Sequence, residues 1–366
     1  MNEHLSASGA PQVVSRRRFL EIAAALGMTV VGASALGGCS SGSGGESGGG
    51  AAEPAAETVA VIDAKGNEFV IPDKVDRIAI TCNGGTTHEV AIFGGADKIV
   101  AQPSMEQFPQ LLKMYPQFND VTNAGSFDDL NIEAMVACEP DLALVGVSSD
   151  KGNAQIEEVG IPIYVMLIGW AAVDTLKQEF LNVSKIVGNP DKGEALVAHW
   201  DETLGMLQDK VKDIPEEERK KVYYLSAPQI TKANSGEWGR VWVETIGATF
   251  AIPDAELNGD VTAEKALSWD PDVIVIQGGK DIDELYNDAT VQDMKAIRNK
   301  QVYSVPIAGF WWDRPSPEAT LGFLWLAKTV YPDYTDDIDL EKETKDFFKE
   351  FYEYDLSDEE YQSFFG

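Results

Sequence analysis

The chain has 366 residues, with 60 Asp and Glu against 29 Lys and Arg, a formal net charge of −31. So acidic a surface repels nucleic acid and anionic headgroups, and nucleic acid is excluded as a partner. Three His in the whole chain leave little for a bare-metal site or for general-base catalysis near neutral pH.

The N-terminus carries an address. Ser15, Arg16, Arg17, Arg18, Phe19 and Leu20 form a twin-arginine export signal. The apolar run over 22–35 is too short to span a bilayer core of ~30 Å and is broken by Gly27 and Gly32. Leu36, Gly37, Gly38 and Cys39 then form the box at which a lipoprotein precursor is cut and its cysteine lipidated. Residues 1–38 are therefore expected to leave as a signal peptide. The mature chain would begin at Cys39, extracytoplasmic and anchored to the cell membrane, since two or more acyl chains hold stably. Residues 39–56 are Gly, Ser, Ala and Glu with one Pro, a flexible tether with no core-forming side chains.

The remaining body is longer than one hydrophobic core usually takes, which predicts two lobes. A hairpin over 59–63 and 68–71 opens it. Strands are expected at 77–81, 99–102, 142–146 and 162–167, and again at 222–226, 273–277 and 302–305, alternating with helical stretches. That alternation predicts parallel sheets covered by helices. Between the halves, Leu196, Trp200, Leu204, Leu207 and Val211 form one apolar stripe at helical spacing. Pro190 suits its first turn and Pro215 marks its stop. The fold class is thus α/β: two parallel-sheet lobes (57–189 and 214–366) joined by one long helix (190–213), with a ligand cleft between them. The tail over 336–366 is expected to pack on the second lobe.

One phrase occurs twice. Residues 131–145 and 262–276 both read as a short helix, a Pro-Asp turn and a buried strand, with Glu133 matching Glu264, Pro140 matching Pro271 and Asp141 matching Asp272. Asn131 and Thr262 suit N-caps. Cys82 ends one strand and Cys138 precedes another, at opposite edges of a parallel sheet, which predicts two small buried thiols and no bridge.

Ligands in open α/β sheets bind outside the carboxyl ends of the strands. The candidates there are Asn83, Met105, Phe127, Ser148, Trp170, Trp238, Phe310, Trp311, Trp312 and Arg314. Their aromatics suggest a broad, flat-walled cleft. Arg314 is a scarce positive charge that could fork onto a carboxylate, phosphate or hydroxamate, or pair structurally with Asp313 or Glu318. His88 could face the cleft, and His199 lies on the connecting helix.

Two α/β lobes on one helix, exported and lipid-tethered, resemble the substrate-binding proteins of ATP-binding-cassette importers. The chain looks most like the helical-backbone class that receives ferric siderophores, haem and vitamin B12. The resemblance covers residues 57–366 and rests on Val61 to Asn67, Ile71 to Ile78, the two Glu-bearing phrases, and Trp312 to Pro317 leading into Leu321 to Lys328. It implies a non-enzymatic receptor for a metal chelate, first a ferric siderophore, with a corrinoid or haem close behind and no resident cofactor. It implies a dimeric permease with its cytoplasmic ATPase as partner. It assigns Glu133 and Glu264 to permease docking, one per lobe, and Phe127 to ligand stacking. An exported enzyme is the competing class, but no nucleophile elbow, zinc-protease or haem-attachment motif is present. A lipid-tethered adhesion module is the third, and the expected cleft argues against it.

Overall fold

A computed structural model of the chain describes residues 59–83 and 85–365. The expected signal peptide, Cys39 and the tether lie outside the described residues, as does Gly84. The opening hairpin pairs β1 (Ala60–Ile62) with β2 (Glu68–Val70) antiparallel. Asp63 shapes its turn by accepting from the amides of Lys65 and Asn67 at 2.9 and 2.8 Å.

The first lobe then lays down β3 (Ile78–Ile80), β4 (Ile99–Ala101), the two-residue pair β5 (Gly125–Ser126) and β6 (Asp129–Leu130), β7 (Leu142–Gly146) and β8 (Ile163–Met166). Its main sheet runs β4-β3-β7-β8, all parallel. The second lobe holds β9 (Lys221–Leu225), β10 (Thr249–Phe250), β11 (Val273–Ile276) and β12 (Val302–Ser304), in the order β10-β9-β11-β12, again all parallel. In each lobe the second strand in chain order flanks the first, and the third and fourth follow on the other side. The two sheets therefore share one topology. Every residue of β7 and β11 is buried, as expected for parallel strands covered on both faces.

The repeated phrase has a shared geometry. Asn131 Oδ1 accepts from the Ala134 amide at 3.0 Å, and Thr262 Oγ1 from the Lys265 amide at 3.3 Å, capping the helices Ile132–Ala137 and Ala263–Trp269. Each helix is left through one residue of positive φ, Glu139 at +45° and Asp270 at +41°. The Asp after each Pro turns to the neighbouring strand. Asp141 accepts from the amides of Asp76 and Arg77 at 2.7 and 2.9 Å, and Asp272 from the Lys221 amide at 2.8 Å. Arg77 in turn donates to the Cys138 and Glu139 carbonyls, and Lys221 Nζ to the Trp269 carbonyl at 2.8 Å. A cation thus meets the orphan carbonyls of each helix end. The phrase recurs because it welds a helix end to two adjacent strands.

The connecting helix Pro190–Val211 has 22 residues, a rod of ~33 Å at ~1.5 Å per residue. Its predicted stripe is buried throughout. Trp200 lies 5.5 Å from the Phe180 ring of the first lobe and 6.1 Å from Phe323 of the second, and its Nε1 donates to the Pro317 carbonyl at 3.2 Å. His199 packs on Phe347 and Phe351, away from the strand ends.

Two expectations need correction. The tail does not pack on the second lobe alone: Glu360 accepts from Lys113 Nζ at 2.5 Å and from Gln110 Nε2 at 3.4 Å, so its last helix, Asp358–Ser363, also grips the first lobe. Burial works against that carboxylate, yet Lys113, Tyr354 and Ser357 together hold its pKa down at about 2. Cys82 is buried against Thr86, whereas Cys138 is only half-buried, because it ends a short helix at the other end of the sheet.

Asp141→Ala and Asp272→Ala each remove the acceptor for amides beside a central strand, exposed at Asp76 and Arg77 and part-buried at Lys221. Each should cost about 0.5–1.5 kcal/mol in urea unfolding, the net worth of a hydrogen bond that water can replace in part. A neutral result at both would contradict the shared role.

Candidate functional site

The strand ends of the two lobes meet. The turn after β3 enters the helix Thr86–Ile92, whose residues are all buried. Gly85 has φ +90°, and a Cβ there would stand 3.0 Å from Ser316 Cβ and 3.2 Å from the Pro315 carbonyl oxygen. Only glycine allows both the backbone turn and this approach of the lobes. Next to it, His88 Nε2 hydrogen-bonds the Gly309 carbonyl across the lobes at 2.7 Å, with its ring 4.5 Å from Phe310 and 5.4 Å from Phe108. A carbonyl can only accept, so Nε2 carries the proton. Burial pushes the His88 pKa down to about 4, and Nδ1 keeps a lone pair. The seam between these groups also takes in Cys82, Asn83, Thr87 and Met105. About 170 Å³ of space, part of it open to solvent, runs along it, with no room for a water-sized sphere. A second recess, of about 1030 Å³ including open solvent, is a groove on the tail helices lined by Lys328, Asp337, Tyr361 and Phe365.

Buried polar atoms without a hydrogen-bond partner gather around this contact: Thr81 Oγ1, Asn83 Oδ1, His88 Nδ1, Gln102 Nε2 and Ser149 Oγ on the first lobe, Ser316 Oγ on the second. Each such atom costs about 1–3 kcal/mol, and native proteins keep few. A cluster of them at facing strand ends fits a polar ligand site. Backbone strain gathers there too. Phe127 and the β-branched Ile168 hold φ of +54° and +53°, a conformation costing ~1–3 kcal/mol that clusters at functional sites.

Arg314 is the main electrostatic fact. It is part-buried, its Nη2 donates to Gln277 Oε1 at 2.8 Å, and among the described residues it makes no ion pair. The alternative of a structural pairing is met only in part: neither Asp313 nor Glu318 bonds the guanidinium, though the Asp313 charge acts on it at longer range. Asp313 instead bonds the Tyr224 hydroxyl, and burial raises its pKa. Glu318 accepts from the Tyr352 hydroxyl at 2.6 Å and from Trp312 Nε1 at 3.3 Å, and burial lifts it to about 7. Those two carboxyls brace the loop that presents Arg314, leaving most of the guanidinium's five donors unspent.

The predicted residues divide. Asn83 lines the seam, and Phe127 sits beside it, its amide donating to the Thr81 carbonyl at 2.7 Å. Trp170 is 61% exposed and Trp311 half-buried, both at strand ends. Met105 and Phe310 line the seam but are buried. Trp238 and Trp312 are core residues rather than open cleft wall, since Trp238 Nε1 is spent on the Asp313 carbonyl at 3.0 Å and Trp312 packs under Gly322. The broad aromatic wall is thus corrected to a narrow seam where Asn83, Thr87 and His88 alternate with Met105, Phe108 and Phe310. Ser148 is exposed, and its neighbour Ser149 turns inward instead. Glu133 and Glu264 stand exposed in the first turns of the two matching helices. Sequence reasoning did not single out Ser149, Gln277, which ends an expected strand, or Ser316, which lies within the Trp312 to Pro317 stretch.

Beneath the seam, Glu89 and Glu179 form a buried carboxyl pair. Glu179 accepts from the Leu167 amide at 2.6 Å, at the base of the Trp170 loop, while both Glu89 oxygens lack partners. Burial raises both pKa values, Glu179 to about 8 against the pull of the Leu167 amide, and the Glu179 charge pushes Glu89 up further. A carboxyl raised in the folded state stabilises below its unfolded pKa, near 4.5, and that stability is lost as pH rises towards 8. Glu179→Gln keeps an acceptor for Leu167 and offers Glu89 a donor. It should raise the melting temperature at pH 8 and flatten its fall between pH 5 and 8. An unchanged pH profile would contradict the pairing.

A family model described as periplasmic binding protein matches residues 80–307, and the chain belongs to that family. The molybdate-binding protein MolA of Haemophilus influenzae is 26% identical over 320 residues, 80% of this chain and 90% of that one. A solved structure of the same Haemophilus protein with molybdate bound superposes with a TM-score of 0.73 at 25% identity, covering 82% of this chain and 99% of that one. The iron(3+)-hydroxamate-binding protein FhuD of Bacillus subtilis is 22% identical over 56% of this chain and 68% of its own. This chain is accordingly a substrate-binding protein of an ABC transporter for a small ligand.

Proposed function

We propose that the protein captures a small oxyanion of the molybdate class between its lobes and delivers it to a membrane permease. The observation that carries this is Arg314, a part-buried permanent charge that feels the neighbouring Asp313 but is bonded by no carboxylate. Such a charge is costly unless an anion completes it. The narrow seam and its orphan polar atoms favour a compact, oxygen-rich guest. The kinship with MolA, extending over most of both chains, agrees.

The ferric siderophore expected from sequence is the second reading. Exposed Trp170 and half-buried Phe127 and Trp311 favour it, as rim surfaces on which an anionic chelate could stack. A chelate of that size needs the lobes well apart, whereas a helical connector permits only a small hinge motion. The remaining parts of the reading are common to both ligands. Cys39 carries the lipid anchor, the protein is no enzyme, and Glu133 and Glu264 meet basic residues of the two permease subunits. Such rim pairs orient a complex more than they strengthen it.

Calorimetry with molybdate, tungstate, sulfate and a ferric hydroxamate separates the ligands. Molybdate should bind, and Arg314→Gln should weaken it about 10- to 100-fold, the range of a lost charge-assisted hydrogen bond. Tight binding of the hydroxamate alone would overturn the oxyanion reading. Glu133→Lys with Glu264→Lys should abolish uptake in cells and leave ligand affinity unchanged. Surviving uptake would remove the docking assignment.

A further inference from the structure

Among the described residues two histidines keep a buried ring nitrogen without a partner: His199 Nε2, beside Phe347 and Phe351, and His88 Nδ1, at the lobe contact. Position sets His88 apart. Its Nε2–H is fixed on the Gly309 carbonyl, and its Nδ1 lone pair is buried, without a partner, in the seam where the lobes touch. The Gly309 carbonyl forces this tautomer, so in the neutral ring Nδ1 can only accept. The segment holding Arg314 lies against the same turn, through the contact of Pro315 and Ser316 with Gly85.

An oxyanion seated beside Arg314 and this turn would set an oxygen lone pair against the Nδ1 lone pair, which is repulsive. One proton removes the conflict. We propose that His88 is a proton-linked ligand contact: binding of the oxyanion takes one proton from solvent onto Nδ1, which then donates to a ligand oxygen while Nε2–H keeps its bond to Gly309. No other bond forms or breaks. This inference rests on the oxyanion reading above. A ligand bearing its own hydroxyl would donate to Nδ1 with no proton uptake.

The neighbours leave His88 free to play this part. The ionisable groups on the elements around it are the Cys82 thiol at the end of β3, Glu89 on its own helix, Glu106 beside Met105, and Asp313, Arg314 and Glu318 in the facing loop. None sets the ring's pKa in the ligand-free protein. Burial lowers it, and the Gly309 carbonyl partly opposes that. Glu106 is exposed. Glu318 is occupied by Tyr352 and Trp312, Asp313 by Tyr224, and Glu89 is coupled to Glu179. The incoming anion is the charge that changes. Raising the pKa of His88 in the complex makes affinity greatest at low pH. Affinity then falls up to about tenfold per pH unit between the free and bound pKa values.

The test is calorimetry of the purified full-length protein with sodium molybdate from pH 6 to 8, in pairs of buffers with different ionisation enthalpies. The expected result is uptake of close to one proton per molybdate and an affinity about a hundredfold weaker at pH 8 than at pH 6. His88→Gln places its amide nitrogen where Nε2 stands and removes the Nδ1 acceptor. It should bind with no proton uptake and a flat pH profile, whereas Arg314→Gln should bind more weakly yet keep the slope. Molybdate binding with no proton uptake by the unmodified protein would overturn this inference and leave the oxyanion reading standing. No molybdate binding at any pH would overturn both.

Discussion

The connecting helix Pro190–Val211 is the constraint on which the rest of the structure depends. It is anchored in both lobes at once, above all by Trp200 between Phe180 and Phe323. A buried rod of this kind fixes the spacing of the two sheets and turns their carboxyl ends toward one another. The tail adds a second tie through Glu360 and Lys113. With both ties in place the lobes close to direct contact, Gly85 against Ser316 and His88 against Gly309. The character of the ligand site follows from that closeness. The closed contact has no room for a water-sized sphere, so a guest enters only as the lobes part, and the unsatisfied atoms it meets are polar.

The electrostatics of the site run against the composition of the chain. Acidic residues outnumber basic ones about two to one, yet the carboxyls near the seam are either bonded to hydroxyls and ring nitrogens, as Asp313 and Glu318 are, or held neutral by burial, as Glu89 and Glu179 are. Arg314, on the loop whose Pro315 and Ser316 meet Gly85, is left as a basic group that no carboxylate bonds. The acidic exterior repels anions in general, so the site's selectivity is a local matter of one guanidinium, one imidazole and a few hydroxyls. Ligand choice and surface charge are set by different residues.

Much of the architecture was legible before the structure. The strand over 142–146 matches end for end, and the duplicated Pro-Asp phrase anticipated two lobes of one topology, because buried parallel strands and capped helices leave strong local patterns. The two-residue strand β10 was missed, since a pairing that short is made by its neighbours rather than by its own residues. The site was less legible. An aromatic residue at a strand end looks the same in sequence whether it faces a cleft, like Trp170, or the core, like Trp312. Ser148 and Ser149 differ only in which of two adjacent side chains the turn points inward. Arg314 stood out because it is basic in an acidic chain, but only the structure revealed that Glu318 bonds Tyr352 and that Asp313 bonds Tyr224 through one oxygen.

The most direct test of the central claim is a crystal structure of the protein grown with molybdate, with anomalous data at the molybdenum edge. The account predicts a single strong peak between the lobes, within hydrogen-bonding reach of Arg314 and the turn containing His88. A peak in the tail groove, or lobes empty of metal at saturating molybdate, would contradict it.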